Sequence, residues 1–107
     1  MEPYAEIDPT ALRTRFDAGG GPDLLDVRES WEHALCALPG ARLIPIDELA
    51  GRVDELDPAR EVVVYCHHGV RSAAAVAWLR RQDIPAVNLR GGIDAWALEV
   101  DPGLPRY

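Results

Sequence analysis

Short runs of apolar residues alternate along this chain with longer segments in which apolar residues recur every three or four positions. A short apolar run between turn residues predicts a buried strand, and a longer periodic segment predicts a helix. The predicted strands cover residues 24–27, 43–44, 61–65 and 86–89. The predicted helices lie between Asp8 and Gly19, from Asp47 to Leu56, from Arg71 to Arg81, and around Trp96. Ser30 is predicted to cap a short turn through Trp31 and Leu35.

The alternation of strands and helices predicts an α/β fold with a parallel sheet that is covered on both faces. In such sheets ligands bind at the carboxyl ends of the strands. Residues 26–28 and 66–71 both follow predicted strands, so we expect these two segments to meet at one edge of the sheet. The 107 residues are expected to form one domain. The expected core or near-core residues include Trp31, Trp78 and Trp96.

The segment from Tyr65 to Ser72 joins a predicted strand to a predicted helix and reads Tyr-Cys-His-His-Gly-Val-Arg-Ser. A cysteine at such a junction faces loop amides and a helix N-terminus, whose partial positive charge favours the reactive thiolate. Arg71 adds a full charge and a fork of donors suited to an oxyanion. Gly69 can adopt the positive φ of a tight loop, and Ser72 can hydrogen-bond the loop or cap the helix.

A lone cysteine at a strand end is more often a small buried hydrophobic residue than a nucleophile. The glycine, arginine and serine at fixed offsets favour the reactive interpretation for Cys66. Two roles stay open for Arg71, which can bind a substrate oxyanion or brace the loop against a carboxylate. Cys36 is expected to be structural, with a resolving thiol as the alternative.

The pattern Cys66-x-x-Gly69-x-Arg71-Ser72 after a strand resembles the active-site loop of the rhodanese-like (sulfurtransferase) domains. Other segments resemble further motifs of this family, in the family's order, and the last of them resembles tails of rhodanese domains attached to E1-like sulfur-carrier-activating enzymes. These segments are Leu24–Glu29, Leu38–Pro45, Leu89–Trp96 and Val100–Tyr107. The resemblance implies a three-layer fold in which helices flank a central parallel sheet of about five short strands.

The resemblance also implies sulfur transfer through a persulfide on Cys66. A small anionic donor such as thiosulfate, or a protein persulfide, would supply the sulfur, and a thiophilic acceptor would remove it. The loop has the form Cys-x4-Arg, whereas cysteine-dependent phosphatases have Cys-x5-Arg, which argues against a phosphatase or an arsenate reductase. The loop residues assigned to substrate binding are His67, His68, Gly69, Val70, Arg71 and Ser72. Asp26 and Arg28 are assigned supporting roles. Asp26 is expected to face the site, to cap a helix or to pair with an arginine, and Arg28 is expected to pair with a nearby acid.

Composition excludes several other functions. The net charge is −7, with −8 in residues 1–61 and +1 in residues 62–107, which argues against nucleic-acid and membrane partners but tolerates an anionic substrate near Cys66. All eleven basic residues are arginines, which excludes a Schiff-base or P-loop lysine. No cofactor is expected, and no metal, since adjacent His67 and His68 have poor ligand spacing.

We expect a cytoplasmic location, because the sequence has no long apolar run and no export signal in residues 1–6. The physiological donor and acceptor stay open, and a sulfur-carrier protein and a cysteine desulfurase are candidate partners. The alternative function is a non-catalytic rhodanese module that binds a sulfur-carrier or E1-like partner. The presence of both Cys66 and Arg71 argues against that alternative.

Overall fold

The computed structural model describes residues 5–107. The strands in this range are β1 (Glu6–Ile7), β2 (Asp23–Asp26), β3 (Arg42–Leu43), β4 (Val62–Tyr65) and β5 (Ala86–Leu89). The α-helices are α1 (Pro9–Asp17), α2 (Ser30–Leu35), α3 (Leu49–Arg52), α4 (Val70–Arg81) and α5 (Gly92–Glu99). The five strands form one parallel sheet in the order β1-β5-β4-β2-β3. The predicted α/β class and its parallel sheet are confirmed.

Helices cover both faces of the sheet and bury a separate apolar core on each. One core includes Val64 of β4 and Leu79 of α4. The other includes Val63 of β4, Leu12 of α1 and Trp96 of α5. Neighbouring residues of β4 enter different cores because successive side chains of a strand point to opposite faces. Burial of β4 along its whole length explains its uninterrupted apolar sequence.

The strand register brings the two polar segments to one edge of the sheet, as predicted. Asp26 at the end of β2 pairs with Tyr65 at the end of β4. The pairing continues one residue further, where the Val27 N–H donates to the Tyr65 carbonyl at 3.1 Å. Residues 26–28 and 66–71 therefore leave adjacent strands side by side.

Two helix predictions need correction. Ser30 does not cap α2; Glu29 occupies the N-cap, and the Glu32 carboxylate accepts the Glu29 N–H at 2.9 Å, as in a capping box. The helix predicted from Asp47 to Leu56 is instead short α3 flanked by 3-10 turns at Ile46–Glu48 and Val53–Glu55. Gly51 and β-branched Val53 lower the helix propensity of this segment.

The structure differs from the sequence analysis at three further points. Helix α4 begins at Val70, one residue earlier than expected, and β1 was not predicted because two residues show no periodicity. Trp31 is 64% exposed and lies outside the core, whereas Trp96 is buried.

The expectation that the chain has no export signal rests on residues 1–6, of which residues 1–4 lie outside the described range. Across residues 5–107, the helices are too short or too polar to cross a membrane.

Candidate active site

The sulfur of Cys66 lies in a cradle of hydrogen-bond donors. Cys66 follows the last residue of β4 and is 1% exposed. Its Sγ accepts hydrogen bonds from the Gly69 N–H at 3.1 Å, the Ser72 N–H at 3.4 Å and the Ser72 hydroxyl at 3.3 Å. These donors belong to the loop and to the first turn of α4, whose N-terminus carries partial positive charge. The cradle therefore stabilises negative charge on the sulfur.

Asn88 in β5 holds two members of this cradle in place. Its side-chain oxygen accepts the Ser72 hydroxyl at 2.6 Å, and its amide donates to the Gly69 carbonyl at 3.2 Å. The Ser72 hydroxyl has one proton, so it donates to either Asn88 or Cys66 at a given moment. The hydrogen bond from Ser72 to the sulfur becomes stronger when the sulfur is charged, because hydrogen bonds to charged groups are stronger than those between neutral groups.

The beginning of α5 fixes the loop from the other side. The N–H groups of Ile93 and Asp94 donate to the carbonyls of Cys66 at 2.9 Å and His67 at 3.1 Å. This close approach requires glycine at Gly92, where a Cβ would lie 2.5 Å from both carbonyl oxygens and where φ is +64°. The carbonyls of Cys66 and His67 are thereby directed at α5, while the N–H groups of Gly69 and Ser72 are directed at the sulfur.

Arg71 lies against a buried carboxylate. Its two terminal nitrogens donate to the two oxygens of Glu32 at 2.7 and 2.8 Å, and the Glu32 side chain is 4% exposed while that of Arg71 is 36% exposed. The hydrogen bonds from Arg71 lower the pKa of Glu32 to about 2. The hydrogen bonds to Glu32 in turn raise the pKa of Arg71, and the nearby Cys66 adds to this increase. The guanidinium is thus braced and still reaches solvent beside the loop.

A chain of hydrogen bonds continues from Glu32 into the protein. The Tyr107 hydroxyl donates to Glu32 Oε2 at 2.6 Å and accepts Arg28 Nη1 at 2.8 Å. Arg28 donates to both oxygens of Asp26 at 2.9 and 2.7 Å, and both side chains are fully buried. His33 Nδ1 lies 2.8 Å from Asp26 Oδ2. Asp26 and Arg28 thus form an ion pair with each other, and Tyr107 connects this pair to Glu32 and Arg71.

The two histidines of the loop have different environments. His67 is half-buried and stacks on Tyr107, with ring centroids 3.9 Å apart and planes 8° apart. Burial lowers the pKa of His67, and adjacent His68 adds to the effect. His68 stacks on His67 at 3.9 Å and is exposed, as expected for a loop residue.

His67, His68 and Asp94 are the described residues whose ligand atoms come close enough for a metal ion, within 4.8 Å of one another. Asp94 already accepts two hydrogen bonds from Arg106, at 2.8 and 3.3 Å. Those bonds lower the pKa of Asp94. A metal ion at this position would have to displace Arg106 from the carboxylate.

Other candidate residues lie at the margins of the site. Val70 is 79% exposed at the start of α4. Arg90 pairs with Asp8 and Glu99 on the surface. Cys36 is buried in the core opposite that of Cys66, and its carbonyl accepts Arg28 Nη2 at 2.6 Å.

Sequence reasoning missed three residues of this site, Glu32, Asn88 and Tyr107. Glu32 lies in the short helix α2, where a carboxylate ordinarily indicates a solvated face. Asn88 interrupts an apolar strand, which was a usable signal for a polar contact. Tyr107 is 75 residues from Glu32 in the chain, and local patterns do not reveal such a contact.

Comparison with known proteins places this geometry in a family. The model of the rhodanese-like domain matches residues 8–99. A sulfurtransferase of Allochromatium vinosum is 40% identical over 101 residues, which cover 94% of this chain and 92% of the relative. A rhodanese-like domain protein from Staphylococcus aureus has a solved structure that superimposes with a TM-score of 0.84 at 31% identity, covering 95% of this chain and 97% of that one. The chain therefore belongs to the rhodanese-like domain family, with the fold that the resemblance implied.

A longer relative contains the same domain. The probable adenylyltransferase/sulfurtransferase MoeZ of Mycobacterium tuberculosis is 39% identical over 105 residues, which cover 94% of this chain but 26% of the relative. The chain thus spans about a quarter of that protein. Sulfur transfer appears in the names of relatives of both lengths.

Proposed function

We propose that this chain is a sulfurtransferase that carries a sulfane sulfur as a persulfide on Cys66. The observation that carries the proposal is the cradle of Gly69 and Ser72 donors around the Cys66 sulfur. Relatives named sulfurtransferase support it at the level of the family. Thiosulfate is the proposed model donor, and a protein persulfide is the proposed alternative.

The first step is attack by the Cys66 thiolate on the outer sulfur of the donor. With thiosulfate, the new bond joins Cys66 Sγ to that sulfur, the sulfur–sulfur bond of thiosulfate breaks, and its electron pair leaves with sulfite. The product is a Cys66 persulfide whose terminal sulfur carries the negative charge. Loop N–H groups stabilise that charge as an oxyanion hole stabilises oxygen.

The second step returns the enzyme to its starting state. A nucleophilic acceptor, such as cyanide or a thiolate, attacks the terminal sulfur, and the sulfur–sulfur bond breaks with its electron pair returning to Cys66. No external oxidant or reductant is consumed, and the two displacements predict ping-pong kinetics. In this proposal the Arg71 guanidinium attracts the anionic donor, and its pairing with Glu32 and its partial exposure support that role.

The intact mass of the protein after incubation with a donor tests this proposal. Wild-type protein should gain the mass of one sulfur atom from thiosulfate and lose it on addition of cyanide. Cys36→Ser should behave in the same way, whereas Cys66→Ser should gain nothing. Sulfur carried by Cys66→Ser protein would contradict the assignment. Release of phosphate from an aryl phosphate by wild-type protein, above a Cys66→Ser control, would favour a phosphatase instead.

The second candidate function is a non-catalytic module that binds a partner of a sulfur-carrier or E1-like system. MoeZ, whose name joins adenylyltransferase and sulfurtransferase, is a relative that supports a link to such a system. The same mass experiment distinguishes the two functions, because a binding module would carry no sulfur after incubation with thiosulfate, mercaptopyruvate or a persulfidated cysteine desulfurase.

A cytoplasmic location is part of the proposal. Detection of the protein in separated cell fractions tests it.

A further inference from the structure

Tyr107 contacts the Cys66 loop and the ion pairs beside it, through its ring and through its hydroxyl. Its hydroxyl lies between Glu32 and Arg28, and its ring stacks on His67, the residue that follows Cys66. Trp31 packs edge-on against the same ring, with centroids 5.8 Å apart. One side chain from the end of the sequence therefore touches both the carboxylate that braces Arg71 and the loop itself.

The hydroxyl completes the hydrogen bonding of the buried Glu32 carboxylate. Oε1 accepts Arg71 Nη1 at 2.7 Å and the Glu29 N–H at 2.9 Å. Oε2 accepts Arg71 Nη2 at 2.8 Å and the Tyr107 hydroxyl at 2.6 Å. Burial, followed by the hydrogen bond to Glu32, raises the pKa of Tyr107 to about 12, so the phenol keeps its proton and donates it at ordinary pH.

The same hydroxyl separates two buried charges. Arg28 Nη1 donates to the hydroxyl at 2.8 Å, and its other acceptor is the Glu32 carbonyl at 3.3 Å. Without the hydroxyl, this nitrogen and Glu32 Oε2 would each lose one hydrogen-bond partner inside the protein, and they would be left to pair with each other. Direct pairing of Glu32 with Arg28 would then compete with its pairing to Arg71. The phenol thus keeps the carboxylate on Arg71.

We propose that Tyr107 is a positioning residue for the Cys66 site. It holds the Arg71 guanidinium next to the Cys66 loop by orienting Glu32, and it holds the loop through its stacking on His67. The inference deepens the proposed sulfur transfer and rests on it for its kinetic consequences. The effect of Tyr107 on the position of the Arg71 charge near Cys66 can also be measured without any sulfur transfer.

The first test measures alkylation of Cys66 in the full chain with Tyr107→Phe, which keeps the ring and removes the hydroxyl. The measured quantity is the rate with anionic iodoacetate divided by the rate with neutral iodoacetamide, in a Cys36→Ser background. A guanidinium beside the sulfur favours the anion, so this ratio should fall about three- to tenfold in Tyr107→Phe. Arg71→Met should lower the ratio at least as far, and Leu104→Ala, which loosens tail packing alone, should leave it unchanged.

The second test asks whether Tyr107 acts through Glu32. In a Glu32→Gln background, which lacks the carboxylate charge, Tyr107→Phe should cause little further fall in the ratio. A full additional fall would show that the hydroxyl acts by another route and would overturn the proposal. A wild-type ratio in folded Tyr107→Phe protein would overturn it too. Circular dichroism at the assay temperature establishes that each variant is folded.

Kinetics separate this inference from the proposed function. Tyr107→Phe should raise KM for thiosulfate about three- to tenfold with a smaller change in kcat, since donor attraction is what it weakens. A purely structural role would lower the active fraction and leave KM unchanged, and that result would contradict positioning. Absence of turnover in wild-type protein would contradict the proposed function, whereas the alkylation ratio would still decide the role of Tyr107.

Discussion

At the scale of the residue, the pairing of Arg71 with Glu32 depends on the shape of the guanidinium as well as on its charge. Two parallel hydrogen bonds join the planar group to the two carboxylate oxygens. A lysine keeps the charge but offers one ammonium nitrogen, so it cannot reproduce the pair. Since Glu32 is buried, water could not replace the arginine donor that one of its oxygens would lose.

Arg71→Lys should therefore lower kcat/KM for thiosulfate by about tenfold or more, a loss comparable with that of a hydrogen bond to a charged group. Steady-state assays with thiosulfate and cyanide measure the effect. Arg60→Lys is a matched control, because Arg60 also binds both oxygens of one carboxylate, that of Asp23, but on the exposed surface. Equal activity of Arg71→Lys and wild type would show that the planar fork has no role.

At the scale of the element, the start of α5 shapes the loop by close backbone contact. Gly92→Ala places a methyl group against the carbonyls of Cys66 and His67 and forces a side chain into positive φ. We expect the free energy of unfolding to fall by about 2 kcal/mol or more, with loss of most sulfur transfer. Chemical denaturation and the thiosulfate assay measure the two effects.

Gly51→Ala is the control for that prediction. A Cβ at Gly51 meets nothing within 4 Å, and the residue lies in α3. The substitution should raise the free energy of unfolding by about 0.5–1 kcal/mol and leave activity unchanged. Similar destabilisation by both substitutions would indicate a general intolerance of alanine and would refute the contact at Gly92.

The elements also show how much of this structure could be predicted from the sequence. β4 and α4 were predicted almost residue by residue, because a fully buried strand and a twelve-residue helix that follows a glycine leave strong local patterns. The Cys66 loop was predicted for the same reason, as its signal lies within eight residues. β1 has two residues and takes its position from pairing with β5, so its own sequence carries no signal. The contact of Tyr107 with Glu32 depends on tertiary structure and could not be predicted locally.

At the scale of the whole molecule, the alternating charges around the site join parts of the chain that differ in net charge. Asp26, Arg28 and Glu32 come from the acidic residues 1–61, and Arg71 and Tyr107 come from the remainder. Removing these charges from water is costly, and the hydrogen bonds between them offset the cost. Protonation of one member should therefore affect the stability of the whole fold.

Glu32 gives this expectation a direction. Its pKa in the folded protein is about 2, below its ordinary value of 4.5. The unfolded chain therefore binds the proton more readily, and acid favours unfolding. The stabilisation from Glu32 should be fully present above pH 4.5, decline as the pH falls below that value, and vanish near pH 2. At about 1.4 kcal/mol for each pH unit, its size is about 3 kcal/mol.

Denaturant unfolding of wild type and Glu32→Gln between pH 7 and pH 2 measures this contribution. Wild type should be the more stable protein at pH 7, and the two curves should converge by about 3 kcal/mol as the pH falls through the window from 4.5 to 2. Other carboxylates titrate in both proteins and cancel in the difference. Glu6→Gln, at an exposed glutamate of β1, should run parallel to wild type. A constant gap between wild type and Glu32→Gln would mean that the Glu32 carboxylate is not held in its charged form by Arg71 and Tyr107.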